Sequence, residues 1–176
     1  MEFDKEKELE EIHRLYKELE KTWDEPEYEA IYAFNDKYFK EYKDYLETTK
    51  GFTKKTINKH YYRVSFFINE HLTRYLKDTI FNPSGSLEDY FGYFLLYKCM
   101  FTTKNYIIDS CSSIISFYKF MLEKGYVTKN VYDDILFNIE DGKERWIEEL
   151  WNYEHGCDQR TLFYKALEES VNNNDN

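Results

Sequence analysis

Only six glycines and two prolines occur in 176 residues. Hairpin turns and phosphate-cradling loops draw on glycine because they need backbone conformations that other residues resist. A chain so poor in both residues is left with long helices joined by short connections. The apolar pattern agrees. Leu9, Ile12, Tyr16, Leu19 and Trp23 recur at three- and four-residue intervals among Glu and Lys, which predicts a first amphipathic helix. Asp24-Glu25-Pro26 restarts the chain, with proline near a first helical position. Tyr28, Ile31, Tyr38, Tyr42 and Tyr45 mark a second helix ending near Gly51. Thr53 is placed to cap a third, with Ile57, Tyr61, Val64, Ile68, Leu72 and Tyr75 inward.

Asn82-Pro83-Ser84-Gly85 is the clearest break. After it, Ser86 with Asp89 reads as a capping box opening a short apolar helix to about Met100. Thr103 caps the next helix, which turns Ile107, Cys111, Ile114 or Ile115, Tyr118 and Met121 or Leu122 inward and stops at Gly125. A shorter helix is expected from Thr128 to Asn138. Another, capped by Asp141 with Glu144, carries Trp146, Ile147, Leu150 and Trp151. A last helix is expected from Asp158 to about Ser170, ahead of a frayed polar tail. No segment sustains a two-residue alternation, so the expected fold is all-α. With eighteen Tyr and fourteen Phe, its core should be aromatic and wet at the margins, because a buried tyrosine still needs a partner for its hydroxyl.

Charge is distributed unevenly. The chain carries a net −10, yet residues 37–77 hold ten Lys/Arg against four Asp/Glu. On the third helix Lys55, Lys59 and Arg63 fall four apart, flanked by Asn58, Tyr62 and Phe66. This is how a helix presents a cationic stripe to a polyanion. The alternative is a solvated outer face. On the helix after Thr103 the face opposite the apolar stripe reads Asp109, Ser112, Ser113, Ser116 and Lys119, small hydroxyls that let DNA or a neighbouring helix approach closely. Residues 1–36 hold thirteen acids, so the first helix is expected to shield the basic stripe.

The run Thr53-Lys54-Lys55-Thr56-Ile57, Ser86-Leu87-Glu88-Asp89-Tyr90, Thr103-Lys104-Asn105-Tyr106-Ile107, Ser112-Ser113-Ile114-Ile115-Ser116-Phe117-Tyr118-Lys119-Phe120-Met121 and Gly125-Tyr126-Val127-Thr128-Lys129-Asn130-Val131 carries a family resemblance. In this order it resembles the N-terminal, SAM-like core-binding domain of tyrosine recombinases, the phage-integrase family, over about residues 30–138. The resemblance implies an orthogonal multi-helix bundle that clamps DNA with two of its helices. It divides the chain into an acidic N-terminal helix (1–25), the core-binding domain (26–138), a C-terminal helical extension (139–171) and a disordered tail (172–176). The duplex-facing residues expected from charge and resemblance together are Lys54, Lys55, Asn58, Lys59, Tyr62, Arg63, Lys104, Asn105, Ser112 and Lys119. An integrase-like role in DNA recombination, without catalysis, follows as the leading expectation. The other is a helical adaptor or oligomer that recruits protein through its terminal helices.

The recombinase catalytic domain uses His-x-x-Arg. Here His60-Tyr61-Tyr62-Arg63 and His71-Leu72-Thr73-Arg74 match it only by spelling, since both fall on the third helix. Glu10-x-x-His13 stands alone, where a carboxylate-bridged metal pair needs two such motifs. No Walker A, G-x-G-x-x-G or G-x-S-x-G occurs. Cys99, Cys111 and Cys157 form no C-x-x-C. Neither an enzyme nor a cofactor or metal is expected. The longest apolar stretch, Tyr90 to Phe101, is too short to span a bilayer, and the acidic start is unlike a signal peptide. A cytoplasmic protein is the expectation.

Overall fold

The computed structural model describes residues 3–21, 28–157 and 160–165. The fold is all-α. Six helices follow in order among the described residues: α1 (Lys5–Leu19), α2 (Glu29–Thr48), α3 (Lys54–Ser65, continuing as Phe66–Leu76), α4 (Leu87–Asp89, Tyr90–Phe94 and Leu95–Lys98 end to end), α5 (Lys104–Glu123) and α6 (Lys129–Glu154). Residues 160–165 are also helical. No described helix is long and apolar enough to cross a membrane. Trp23, the restart at 24–26, the end of the expected last helix and the tail lie outside the described residues.

The threonine caps form as expected. Thr53, Thr103 and Thr128 accept hydrogen bonds from the backbone N–H of Thr56, Tyr106 and Val131, filling donors that the first turn leaves open. Gly51 and Gly125, at φ +64° and +75°, close α2 and α5 in the left-handed region that favours glycine. The core is aromatic. Tyr42, Tyr90, Tyr118, Phe39, Phe67, Phe81, Phe91, Phe117, Phe120 and Trp146 are among its largest buried side chains. Three of its tyrosine hydroxyls find partners, Tyr16 donating to the Asp78 carbonyl (2.7 Å), Tyr118 to the Ile80 carbonyl (2.9 Å) and Tyr38 to Glu8 (2.8 Å), while those of Tyr45 and Tyr90 have none among the described residues. Two of these bonds hold the 77–83 connection against the core, which is why Ile80 and Phe81 are buried in a stretch that reads as a loop.

Three expectations are corrected. First, α6 is one helix of 26 residues, with no break near 139. Asp141 and Glu144 are exposed mid-helix residues, not a cap, and the expected 138/139 boundary lies inside the element. Gly142, a poor helix former in mid-helix, has a packing reason to be there. A Cβ there would come within 2.3 Å of the Trp146 ring, so glycine makes room for the indole one turn on. Trp146 stacks on Phe91 at 4.5 Å and donates to Glu88 (3.0 Å). Glu88 also accepts both arms of Arg145, at 2.6 and 2.7 Å. This pairing fastens α6 to α4 and, ahead of the opposing desolvation, holds the Glu88 carboxyl below its usual range.

Second, Ser86 makes no capping box. Its hydroxyl donates to the Pro83 carbonyl (2.6 Å), while the Asp89 carboxylate lies 2.7 Å from His71 Nε2. Third, the second part of α3 and the middle of α4 (Tyr90–Phe94) wind as π-helix, each bond closing on the fifth residue. The wider turn slips the phase of the inward face. Phe67 and His71 turn in, and Tyr75, expected inside, is exposed.

Candidate nucleic-acid interface

The cationic part of α3 lies against α5, and the two run antiparallel. Lys59 Nζ is 2.8 Å from Asp109 Oδ2. One turn along, the Arg63 guanidinium lies over the Tyr106 ring at 3.6 Å, and Phe66 meets Phe101 and Tyr106 at ring separations of 5.4 and 6.5 Å. In this register Lys55, one turn before Lys59, stands level with the Ser112–Ser113 turn of α5.

On α3, Lys54, Lys55, Asn58 and Tyr62 are exposed, and Lys59 keeps 53% of its side chain in solvent. On α5, Asn105, Ser112 and Lys119 are exposed along a stripe that includes Asp109 and Ser116. Spacings of four, three, four and three residues keep that stripe on one side of the helix. The Lys59–Asp109 pair therefore lays two outward stripes side by side, and most of the expected duplex-facing residues share one face.

The exceptions have structural causes. Arg63 is half-buried against Tyr106, and its Nε is buried without a hydrogen-bond partner among the described residues, so it serves the packing between α3 and α5. Lys104 is exposed but lines a groove beside α6 with Glu144, Ile147, Glu148, Leu150, Trp151 and Glu154. Ser113 is buried and donates to the Asp109 carbonyl, so the hydroxyl face is partly a packing face, as is Ser110. Ser112 remains exposed, with its hydroxyl donating to the Ile108 carbonyl (3.1 Å).

The ends of the helices add to this picture. The first turns of α3 and α5 contain no acid, whereas α1 begins with Glu6 and Glu8. Acidic side chains normally favour the positive end of a helix dipole, and lysines there are mildly unfavourable for folding. Lys54 and Lys55 thus add their charge to an N-terminus already suited to anions. Among the described residues neither has a carboxylate partner.

The first helix does not shield this face. Its apolar stripe, Ile12, Tyr16 and Leu19, is buried against α2 and the 78–81 connection, which draws α1 to the far end of the basic segment. Glu8 pairs there with Lys37 (2.8 Å) and Phe3 packs on Tyr126 at 4.7 Å.

The two His-x-x-Arg histidines are packing residues. His71 is fully buried among the Phe67, Tyr75, Tyr90 and Phe94 rings, held by Asp89, with Nδ1 unpartnered among the described residues. Burial lowers its pKa, against the opposing pull of Asp89. His60 stacks on Phe52 and lies 3.4 Å from the Tyr42 hydroxyl, and burial followed by Lys59 lowers its pKa. Arg74 pairs with Glu70 (3.0 Å). Cys99 and Cys111 are buried, with thiols pushed up by burial to about 11 and about 12, and Cys157 is exposed. Among the described residues no three His, Cys, Asp or Glu side chains converge as metal ligands.

Sequence reasoning missed the pairing of buried His71 with the part-exposed Asp89, which ties α3 to α4. Asp89 read as a helix cap, and nothing in the spacing announces a π turn. No family model matches the chain, and no curated protein or solved structure matches it.

Proposed function

We propose that the chain is a non-catalytic, duplex DNA-binding module of the SAM-like core-binding kind, with a role in modulating recombination. The observation that carries the reading is the pinned pair of α3 and α5. Exposed Lys55, Asn58 and Tyr62 share the outer side of α3 with Lys59, whose pairing with Asp109 sets them beside the α5 stripe of Asn105, Ser112 and Lys119. Exposed Lys54 lies in the first turn of α3, where a helix N-terminus favours phosphate. Cations neutralise phosphates there, while amide and hydroxyl groups position the backbone. The burial of His71 and the packing of His60 support the absence of recombinase chemistry, since neither imidazole is presented to a phosphate.

Asp109 offsets the charge that Lys59 brings, and the net −10 opposes non-specific attraction. The binding should therefore be modest and steeply salt-dependent. With Lys54, Lys55 and Lys119 each meeting one phosphate, log K should fall against log salt with a slope of about −3. Reversing these three to Glu leaves the Lys59–Asp109 and Arg63–Tyr106 contacts in place. It should abolish duplex binding with helicity unchanged. Duplex affinity that is insensitive to salt, or unaltered in the triple variant, would sink the reading.

A second reading, a protein-contact module, is favoured by the exposed aromatic side chains of α6 and beyond: Phe137, Trp151, Phe163 and Tyr164.

A further inference from the structure

The outer side of α6 carries a stripe whose chemistry is matched elsewhere on the same chain. Asp141, Glu144, Glu148 and Trp151 are all exposed and follow at intervals of three, four and three residues, on one side of a helix. Among the described residues Asp141 and Glu148 have no cationic partner, and Glu144 meets only its neighbour Lys143, at 3.5 Å. Trp151 is 54% exposed, and Ile147 and Leu150 floor the groove beside it. On α3, Lys55, Lys59 and Tyr62 are exposed at intervals of four and three residues, the reverse of the spacing of Asp141, Glu144 and Glu148. Read in opposite directions, the two stripes align. That alignment sets Lys55 against Glu148, Lys59 against Glu144 and the Tyr62 hydroxyl against Asp141.

We propose that the acidic α6 stripe of one copy docks antiparallel on the basic α3 stripe of a second copy. The inference rests on the protein-contact reading and gives that surface its occupant. It does not need DNA, although the same lysines cannot serve a phosphate and a carboxylate partner at once. Each stripe is used by a different copy, so the contact is heterologous and closes into a ring or dimer only if the rotation allows. The opposed spacings of the two stripes set the register, exposed Trp151 supplies the apolar end of the contact, and the two ion pairs supply orientation more than affinity. Copies at −10 each repel at long range, so association should be strongest near physiological salt. There a Debye length of about 8 Å screens the net charge while leaving pairs in contact less affected.

Sedimentation velocity of the full chain without DNA tests the idea. The wild type should sediment as more than one copy at about 0.15 M salt and as a single copy at about 1 M, where screening reaches the contact pairs. Glu144→Lys with Glu148→Lys should be monomeric. So should Lys55→Glu with Lys59→Glu. An equimolar mixture of the two variants should associate again, because each then carries a face opposite in sign to one on the other. That regain also shows that both variants are folded. A wild type that stays monomeric at high protein concentration would overturn the proposal, and so would variants that associate as the wild type does. The DNA reading survives either outcome, and another protein on α6 survives a monomeric wild type.

Discussion

The face formed by α3 and α5 and the outer side of α6 carry opposite charge, and they differ in how that charge is committed. On the first, Lys59 is paired with Asp109 and Arg63 lies over Tyr106, so two of the three cations in the Lys55–Lys59–Arg63 stripe also hold helices together. On the second, Asp141 and Glu148 face outward with no cation among the described residues, while the inward side of the same helix is fixed by Trp146, Arg145 and Glu88. A charge count along the chain describes both as stripes. Partners decide which charges remain available to a ligand, and they lie on other helices.

Removing the anchor beneath α6 should break this comparison most strongly. Trp146→Ala opens a cavity beside Phe91 and unseats the Glu88 contact, and should cost about 3–5 kcal/mol of unfolding free energy. Tyr62→Ala, on the exposed side of α3, should change stability by less than about 0.5 kcal/mol. Urea denaturation of both variants checks the pair. Equal losses would mean that the two regions are not built differently.

A smaller effect distinguishes the second half of α3 from its basic first half. Burial holds His71, and likewise His60, below the ordinary value of 6.5. The unfolded chain therefore binds protons that the folded chain does not. Their contribution to stability is fully present above about pH 6.5 and is lost progressively as pH falls below it. The denaturation midpoint should drop between about pH 7 and pH 5. In His71→Phe, which suits the surrounding rings, the drop should be shallower. An identical pH profile in the variant would remove His71 from the account.

The smallest expected effect sharpens the contrast directly. Asp109→Asn frees Lys59 without changing its position on α3. Exposed ion pairs are worth roughly 0–1 kcal/mol, so duplex affinity at low salt should rise by up to about fivefold. Unchanged affinity would mean that Lys59 does not face the ligand.

These contrasts also mark how far the sequence was legible. Caps were readable because their chemistry is local: Thr53, Thr103 and Thr128 lie three residues from the N–H groups they accept from, and Gly125 marks its own stop. Asp141 and Glu144 were misread because an acid followed by a second acid three residues on looks like a helix start. The glycine between them serves Trp146 instead. The π winding of Phe66–Leu76 left no trace in the apolar spacing, so Tyr75 was placed inside and His71 passed over. At the candidate interface the outward positions Lys55, Asn58, Tyr62, Asn105 and Ser112 followed from helical periodicity. The inward commitment of Arg63 and the siting of Lys104 beside α6 did not, because each depends on a residue from another helix.

The most direct test is a duplex titration of isotopically labelled protein followed by amide chemical shifts, with ionic strength low enough for binding. The account predicts that the largest shifts cluster at Lys54, Lys55, Asn58 and Tyr62 of α3 and at Asn105, Ser112 and Lys119 of α5, and that raising the salt reverses them. At dilutions where the chain is a single copy before duplex is added, amides of α6 from Asp141 to Trp151 should stay still. Shifts centred on α6, or none anywhere under conditions where the protein is folded, would contradict the claim that the α3–α5 face is the nucleic-acid surface.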